Sequence, residues 1–157
     1  MHARPLTDSG VVVIILWNDT YFLILRDHST DENPVSFPNT WCPVTGGVEV
    51  GENTYHEAAV RELGEEIGFL PDDFHSLGRS EKHNGFFLCR LSNEEVLRIR
   101  LGEGQCYAFC TFEKLGGLDI RAAFGIYLQR YQDIFRRIAE DSSFVPTHSD
   151  LGLHPFY

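Results

Sequence analysis

The stretch GGVEVGENTYHEAAVRELGEEIGF, residues 46 to 69, constrains the fold of this chain more than any other part of it. It opens with a Gly-Gly pair, which permits a tight turn and a close approach of another group to the backbone. Thr54 and Glu57 have the spacing of a capping box, in which the Thr54 side chain accepts from the Glu57 backbone and Glu57 reaches back. Strong helix formers follow, and Gly68 fits the position just after a helix end. The stretch therefore predicts a turn and then a helix over about residues 55–67.

The predicted helix has two chemically different faces. At about 100° of rotation per residue, Glu62, Glu65 and Glu66 fall on one face. A separate apolar face that can dock on a sheet consists of Ala59, Val60, Leu63 and Ile67. Crowded carboxylates repel one another unless they face water or a cation neutralises them. Oxygen donors suit hard cations such as Mg²⁺, Mn²⁺ or Ca²⁺, and a carbonyl of the Gly-Gly turn could be a further ligand. The alternative is a solvated face on which Arg61 pairs with Glu57 and Glu65.

The rest of the chain alternates short apolar runs with polar segments that contain Gly or Pro, which predicts both strands and helices. In chain order we predict a hairpin of strands 11–16 and 21–25, a loop over 26–39, a short extended segment over 41–50, the helix described above, strands at 85–90 and 106–112, and an amphipathic helix over 120–138. This order indicates an α+β domain in which a sheet and helices form layers. One domain is expected over residues 1–141, and the tail over 142–157 is expected to be loose or to pack on the domain or a partner.

Composition argues against several classes of function. The 157 residues carry a formal net charge of −10 and no obvious basic patch, which argues against nucleic-acid binding. The longest apolar run, residues 11–17, is too short to span a bilayer, and the N-terminus lacks the apolar region of a signal peptide. We therefore expect a cytoplasmic protein whose four cysteines are reduced and mostly buried. An anionic substrate stays compatible with this charge if a bound cation reverses the local sign.

The turn and the acidic helix together resemble a known motif. The glycines at 46, 47 and 51, Glu52 and the run AAVRELGEEIGF at 58–69 closely resemble the Nudix box of the Nudix hydrolases. The hairpin, Trp41 ahead of the Gly-Gly turn, and the stretch Gly102-Glu103-Gly104-Gln105 extend the resemblance to roughly residues 8–140. The resemblance implies an α/β/α sandwich around a mixed β-sheet. It also implies attack of water on the pyrophosphate linkage of a nucleoside diphosphate derivative, with Mg²⁺ or Mn²⁺ as the cofactor.

The resemblance also implies roles for individual residues. Glu65 and Glu66 match the main metal-binding carboxylates of the family. Glu62 matches a residue that ligates metal or acts as the base, and Arg61 matches the arginine that orients the cluster. Glu103 is our candidate for a further downstream carboxylate, with an ordinary surface glutamate as the alternative. The expected catalytic set is Arg61, Glu62, Glu65, Glu66 and Glu103, and the expected metal ligands are the Gly46 carbonyl, Glu62, Glu65, Glu66 and Glu103.

The first half of the motif departs from the family spacing, which runs Gly, five residues, Glu, seven residues, Arg-Glu. Counted from the first glycine of the turn, Glu52 has the right place but eight residues then precede Arg61. Counted from the second glycine, Asn53 stands where the glutamate should be. Either one residue is inserted before the helix, or Asn53 replaces the glutamate. We expect the loop at 51–54 to absorb the extra residue, so that the carboxylates still converge.

The motif does not encode the substrate. The expected substrate-binding residues are Arg26, for a phosphate, Phe22, for stacking a base, and Gly47 in the turn, although a surface arginine and a core phenylalanine are the alternatives. The segment from Arg26 to Asn39 is expected to select the substrate. Nucleoside triphosphates, including oxidised ones, are slightly favoured over nucleotide sugars, ADP-ribose and dinucleoside polyphosphates. A non-catalytic nucleotide-sensing module and a structural protein are the alternatives to an enzyme. The C-terminal helix and the aromatic tail would also allow a homodimer, and no membrane partner is expected.

Overall fold

The protein folds as a mixed β-sheet with helices on both faces. The computed structural model describes residue 6 and residues 9–156, apart from the side chains of residues 122 and 123. The strands are β1 (Gly10–Trp17), β2 (Thr20–Leu25), β3 (Trp41–Cys42), β4 (Val44–Gly47), β5 (Asp73–Arg79), β6 (Asn84–Leu91) and β7 (Cys106–Thr111). The helices are α1 (Tyr55–Glu66), α2 (Asn93–Val96), α3 (Phe112–Leu115), α4 (Ala122–Arg130) and α5 (Gln132–Glu140). Within the described residues, no helix is long and apolar enough to cross a membrane.

The β-branched strand β1 lies at the centre of the sheet. Along one edge it pairs in parallel with β6, from Gly10 opposite Asn84 to Trp17 opposite Leu91. Along the other edge it pairs antiparallel with β4 near its start and with β2 near its end. The strand order is β3-β2-β1-β6-β5, with β4 on β1 and β7 antiparallel to β2. The parallel pair inside an otherwise antiparallel sheet makes the sheet mixed, as the resemblance implied.

Two hydrophobic cores lie on opposite faces of this sheet, because successive side chains of a strand point to opposite sides. Val11, Val13 and Ile15 of β1 belong to the core that contains the buried face of α1. Val12, Ile14 and Leu16 belong to the core that contains buried residues of α4 and α5. Burial on both faces explains why β1 is a continuous apolar run and not an alternating one. The predicted α+β layered fold is therefore confirmed.

Helix α1 is capped largely as the sequence predicts. The Thr54 side chain accepts from the Glu57 backbone N–H at 3.1 Å, but the Glu57 carboxylate accepts from the Asn53 backbone N–H, so the reciprocal half of the predicted capping box is wrong. At the other end Gly68 has φ +92° and its N–H donates to the Leu63 carbonyl. This left-handed conformation ends the helix, and glycine adopts it without a steric penalty.

The prediction of a single amphipathic helix over 120–138 is wrong. The structure has two helices there, α4 and α5, which are separated at Tyr131 with φ −121° and ψ 42°. In a continuous helix Phe124 and Phe135 would lie about 16 Å apart along the axis. Their ring centroids are 5.8 Å apart in the structure. The break lets both rings enter the same core, and periodicity alone does not reveal it because both segments keep an apolar face.

Two other parts of the chain differ from the prediction. Strand β5 was not predicted as an element, since it carries a bulge between Ser76 and Gly78 and lacks a clean alternation. The final segment packs on the domain: Leu151 and Leu153 are buried, and the Phe156 ring stacks on Phe87. Residues 1–5, 7 and 8 of the predicted domain, and Tyr157 of the tail, lie outside the described residues.

Candidate active site

A cavity of about 550 Å³ gathers most of the residues that the sequence singled out. It lies between β4, helix α1, the segment after α2 and the start of α4. Its lining includes Arg26, Gly46, Gly47, Arg61, Glu62, Glu65, Glu66 and Glu103. All three helix carboxylates line this one cavity. The three carboxylates differ in burial: Glu62 and Glu66 are each only 8% exposed, whereas Glu65 is exposed.

Glycines bring two of the carboxylates into place. A Cβ on Gly46 would stand 1.8 Å from Oε1 of Glu62, so only glycine lets this carboxylate lie against β4. Glu103 lies between two glycines that are tightly packed. A Cβ on Gly102 would stand 1.8 Å from the Glu65 carbonyl oxygen, and one on Gly104 would stand 2.9 Å from the Leu25 carbonyl oxygen. These close approaches hold the segment that carries Glu103 between α1 and β2.

Arg61 is the centre of the hydrogen-bond network. Its Nε and Nη2 donate to the two oxygens of Glu52, each at 3.1 Å. Its Nη1 donates to Glu62 at 2.7 Å and to Glu65 at 3.1 Å. Nη2 also donates to the Gly47 carbonyl oxygen at 2.6 Å. One guanidinium thus ties the turn, the loop before α1 and two helix carboxylates together, and these hydrogen bonds raise its pKa.

The spacing irregularity is absorbed in the loop at 51–54. Glu52, and not Asn53, is the residue whose carboxylate meets Arg61. Gly51 has φ +95°, which turns the chain so that the Glu52 carboxylate also accepts from the Glu49 backbone N–H. The bond from Arg61 lowers the pKa of Glu52. One residue is therefore inserted before the helix, and the bridging glutamate is kept.

The buried carboxylates carry unfavourable charge. Burial, together with the nearby charges of Glu62 and Glu103, raises the pKa of Glu66 to about 8. Its Oε2 is buried without a hydrogen-bond partner. Burial also raises the pKa of Glu62, although the hydrogen bond from Arg61 opposes this. Desolvated, mutually repelling carboxylates with a free oxygen are the state that a divalent cation would relieve.

Comparison with known proteins assigns the family. A family model described as the NUDIX domain matches residues 7–118, which is well over half of the chain. The chain belongs to the Nudix family. The family match supports the prediction of a Nudix-type hydrolase that acts on acid anhydrides. A comparison with curated protein sequences gives no match.

Solved Nudix structures share the fold at low sequence identity. A C. elegans Ap4A hydrolase binary complex is 18% identical, with a TM-score of 0.57 over 80% of this chain and 95% of that one. A MutT structure from work on Aliivibrio salmonicida and Vibrio cholerae is 21% identical, with a TM-score of 0.55 over 78% and 92%. The NUDIX domain of Shewanella oneidensis NrtR, complexed with ADP ribose, is 8% identical, with a TM-score of 0.60 over 83% and 89%. At such identities the likeness shows the fold alone.

The donor set of this Nudix cavity fits a hard divalent cation, although not in its present arrangement. Glu62, Glu65, Glu66 and Glu103 supply carboxylate oxygens to one cavity, and an oxygen of Glu66 has no partner. Across residues 6 and 9–156, however, no three carboxylate, imidazole or thiol side chains are close enough together to hold a metal ion. Nη1 of Arg61 instead lies between Glu62 and Glu65 as a fixed positive charge.

One expected substrate-binding residue is not in the cavity. Phe22 is 1% exposed and packs against Tyr107 and Phe109, so the prediction that it stacks a base is wrong. Phe22 lies in β2, between β1 and β7, and its side chain is buried in the core on the face of the sheet that packs against α1. Arg26 and Gly47 line the cavity, and their contact with substrate stays a prediction. The prediction that most cysteines are buried holds for two of the four, since Cys106 is exposed and Cys110 is partly exposed.

Sequence reasoning missed two charged residues of the cavity, Glu49, which pairs with Arg61, and Arg121. Arg121 stands just before α4, far along the chain from the Nudix box, and no spacing pattern links the two. The backbone of residues 119–121 lies beside β3: Trp41 N–H donates to the Asp119 carbonyl, and Arg121 N–H donates to the Trp41 carbonyl, each at 2.8 Å. This short parallel bridge, centred on Ile120, carries Arg121 to the cavity.

Proposed function

We propose that this Nudix enzyme is a Mg²⁺- or Mn²⁺-dependent pyrophosphohydrolase that cleaves the diphosphate linkage of a nucleoside diphosphate derivative. The observation that carries the proposal is the buried, unpartnered oxygen of Glu66 beside Glu62 and Glu103. An uncompensated buried carboxylate costs free energy, and a hard cation with oxygen ligands would remove that cost. A purely structural role of this cluster would not explain why a carboxylate is buried at position 66 beside two others.

In this proposal the carboxylates hold the cation and the arginine holds the carboxylates. Glu62, Glu65, Glu66 and Glu103, with the Gly46 carbonyl, are the ligands that the chain offers. When bound, divalent cations neutralise phosphate oxygens, activate water and stabilise the leaving phosphate. Arg61 fixes the orientation of Glu52, Glu62 and the Gly47 carbonyl, so the turn and helix act as one rigid support. A preorganised support of this kind is what catalysis requires of a binding site.

For the substrate we favour nucleoside triphosphates, including oxidised ones. Two cationic side chains, Arg26 and Arg121, line the same cavity as the carboxylates, and they suit a phosphate-rich ligand. Structural neighbours include an Ap4A hydrolase and a domain complexed with ADP ribose, so dinucleoside polyphosphates and ADP-ribose are the competing substrates to test.

A second candidate is a nucleotide-binding module without hydrolysis. It is favoured by one observation: Nη1 of Arg61 bonds both Glu62 and Glu65, and so satisfies two expected metal ligands with a fixed cation. If Arg61 keeps that position when a nucleotide is present, the cavity would bind phosphates through its arginines and would not turn the substrate over.

A hydrolysis screen separates the two candidates. A nucleotide library is incubated with Mg²⁺ or Mn²⁺, both products are identified, and the best substrate is then tested with Glu66→Gln and with Glu140→Gln. Glu140 is an exposed residue at the end of α5 and serves as the matched control. We expect turnover to fall by about 100-fold or more in Glu66→Gln and to stay at the wild-type level in the control. Nucleotide binding without any product would instead favour the binding module, and wild-type turnover in Glu66→Gln would refute the metal-site assignment.

A further inference from the structure

Two arginines form a basic part of the cavity that the family motif does not contain. Arg26 follows β2 and Arg121 precedes α4, and both line the cavity beside Glu66. The structure brings two like charges into one partly desolvated space. Burial and the charge of Arg26 lower the pKa of Arg121, and these effects outweigh the opposite influence of Cys42 and Glu66. Such an arrangement costs free energy unless an anion is present between or beside the two groups.

Arg121 is oriented by a hydrogen bond, but among the described residues no carboxylate pairs with it directly. Its Nη1 donates to Oγ1 of Thr45 in β4 at 3.1 Å, whereas its Nε is buried without a hydrogen-bond partner. In the part of the chain that the structure describes, Arg121 forms no ion pair with a carboxylate, whereas Arg61 forms four. A half-buried guanidinium without a carboxylate partner carries a desolvation cost that its internal contacts do not offset. The difference between the two arginines points to an external anion for Arg121.

Phe37 holds the guanidinium of Arg121 from one face. The Phe37 ring centroid is 5.0 Å from the Arg121 guanidinium carbon, and the ring is 47% exposed. Phe37 has φ +50°, an uncommon conformation for a residue with a side chain. Two bonds support this loop conformation: Arg26 Nε donates to the Ser36 carbonyl at 2.7 Å, and the Thr40 hydroxyl donates to the Phe37 carbonyl at 2.7 Å. An arginine stacked on a ring keeps its in-plane N–H groups available, which is the geometry used to bind phosphate.

The charge of the ligand follows from the charge of the pair. A terminal phosphate carries nearly two negative charges near neutral pH, whereas a phosphate esterified on both sides carries one. Two guanidiniums match the first better than the second. If the carboxylate-bound cation neutralises the scissile linkage, the arginines remain for a phosphoryl group beyond it.

We propose that Arg121, together with Arg26, binds the free terminal phosphate of the substrate, and that this pair selects nucleoside triphosphates over compounds whose phosphates are esterified at both ends. Phe37 is the positioning residue that holds Arg121. The proposal rests on the proposed function only in using the same cavity, and it does not depend on which carboxylate binds the cation.

Binding without metal tests this proposal independently of hydrolysis. ATP and ADP-ribose share the adenosine diphosphate group, but only ATP ends in a free phosphate, so their affinities in EDTA are compared by calorimetry, with inorganic tripolyphosphate as a third probe. We expect Arg121→Gln to weaken ATP and tripolyphosphate binding by about tenfold or more, because it removes a charge-assisted hydrogen bond. ADP-ribose affinity should change by less than about twofold. If hydrolysis is absent altogether the proposed function fails, while this comparison still decides the role of Arg121.

A matched control exists elsewhere in the chain. Arg136 lies over the Phe112 ring at 5.1 Å and does not line this cavity. Arg136→Gln removes the same stacked charge and should leave all three affinities unchanged. If Arg121→Gln does not fold, Arg121→Lys replaces it, since lysine keeps the charge without the planar fork, and is expected to lose part of the ATP affinity. Phe37→Leu should weaken ATP binding in the same direction as Arg121→Gln, but less.

Three results would overturn the proposal. The first is equal loss of ATP and ADP-ribose affinity in the Arg121 variant, which would mean that Arg121 binds a phosphate common to both. The second is unchanged ATP affinity in that variant. The third is a wild-type protein that binds ADP-ribose as tightly as ATP and tripolyphosphate, because selection by a terminal phosphate would then be absent.

Discussion

Replacing Gly46 with alanine should displace Glu62 without unfolding the protein. A Cβ at this position would stand 1.8 Å from Oε1 of Glu62, whereas ordinary van der Waals contact begins at 3.4 Å, so the carboxylate must retreat by about 1.6 Å. The atom that has to move is the end of a flexible side chain, and β4 itself can stay in place. The retreat separates Glu62 from Arg61, which now donates to it at 2.7 Å.

The free-energy terms for Gly46→Ala partly offset each other in stability but not in function. Loss of one charge-assisted hydrogen bond costs about 1.5–3 kcal/mol when the partners are left unpaired, and less here because Glu62 and Arg61 keep other neighbours. A glycine-to-alanine change returns about 0.4–1 kcal/mol by restricting the unfolded chain. The net change in the free energy of unfolding should therefore be within about 1–2 kcal/mol. A displacement of this size in a catalytic ligand, by contrast, lowers turnover by about 100-fold.

The assay compares Gly46→Ala with Gly64→Ala, a glycine of α1 that does not line the cavity. A Cβ on Gly64 would meet nothing within 4 Å, so the control adds a methyl group without a clash. Steady-state turnover with Mn²⁺, the shift in melting temperature caused by millimolar Mn²⁺ alone, and circular dichroism are measured for both variants. We expect only Gly46→Ala to lose turnover and the Mn²⁺ shift. Equal turnover in the two variants would refute the reasoning that Glu62 must lie against β4.

Other substitutions test the remaining parts of the structure. Glu66→Gln should lower turnover by about 100-fold or more yet raise the melting temperature in metal-free buffer at pH 7, because folding forces Glu66 to take up a proton or bury a repelled charge and glutamine avoids both costs; a lower melting temperature would contradict this. Glu52→Gln should weaken the support of Arg61 and reduce turnover by about tenfold, whereas Asn53→Ala should not, as steady-state kinetics of both variants would show. Tyr21→Phe removes a buried hydroxyl that donates to a carbonyl of α5 at 2.5 Å, so urea unfolding should show a loss of about 1–2 kcal/mol with turnover unchanged.

The parts of the fold that were predicted correctly have local causes. The hairpin of β1 and β2 follows from two apolar runs around Asn18-Asp19, and Asn18 indeed adopts φ +54° in the turn. Helix α1 follows from its cap at Thr54 and its stop at Gly68. The acidic face follows from helical periodicity. Each of these features depends on residues that lie close together in the sequence, which is the range over which propensity and spacing operate.

The parts that were missed depend on distant residues. The division of the C-terminal helix at Tyr131 serves the contact between Phe124 and Phe135, which periodicity cannot distinguish from a straight helix. Phe22 packs against Tyr107 and Phe109 of β7, a strand far along the chain that pairs with β2. Aromatic residues in strands have no local signal that separates core packing from ligand stacking, because both require the same alternation.

The sequence by itself determined the identity and order of the carboxylates, the turn before them and the family to which they belong. It also left two positions, Glu52 and Asn53, equally suited to the bridging role. Tertiary structure decided between them, because only Glu52 meets Arg61 once Gly51 turns the chain. It also brought Arg121 to the same cavity through a bridge to Trp41. Spacing fixes which groups share a helix face, but the contacts between separate elements depend on the packing of the whole sheet, and no short stretch of sequence contains that information.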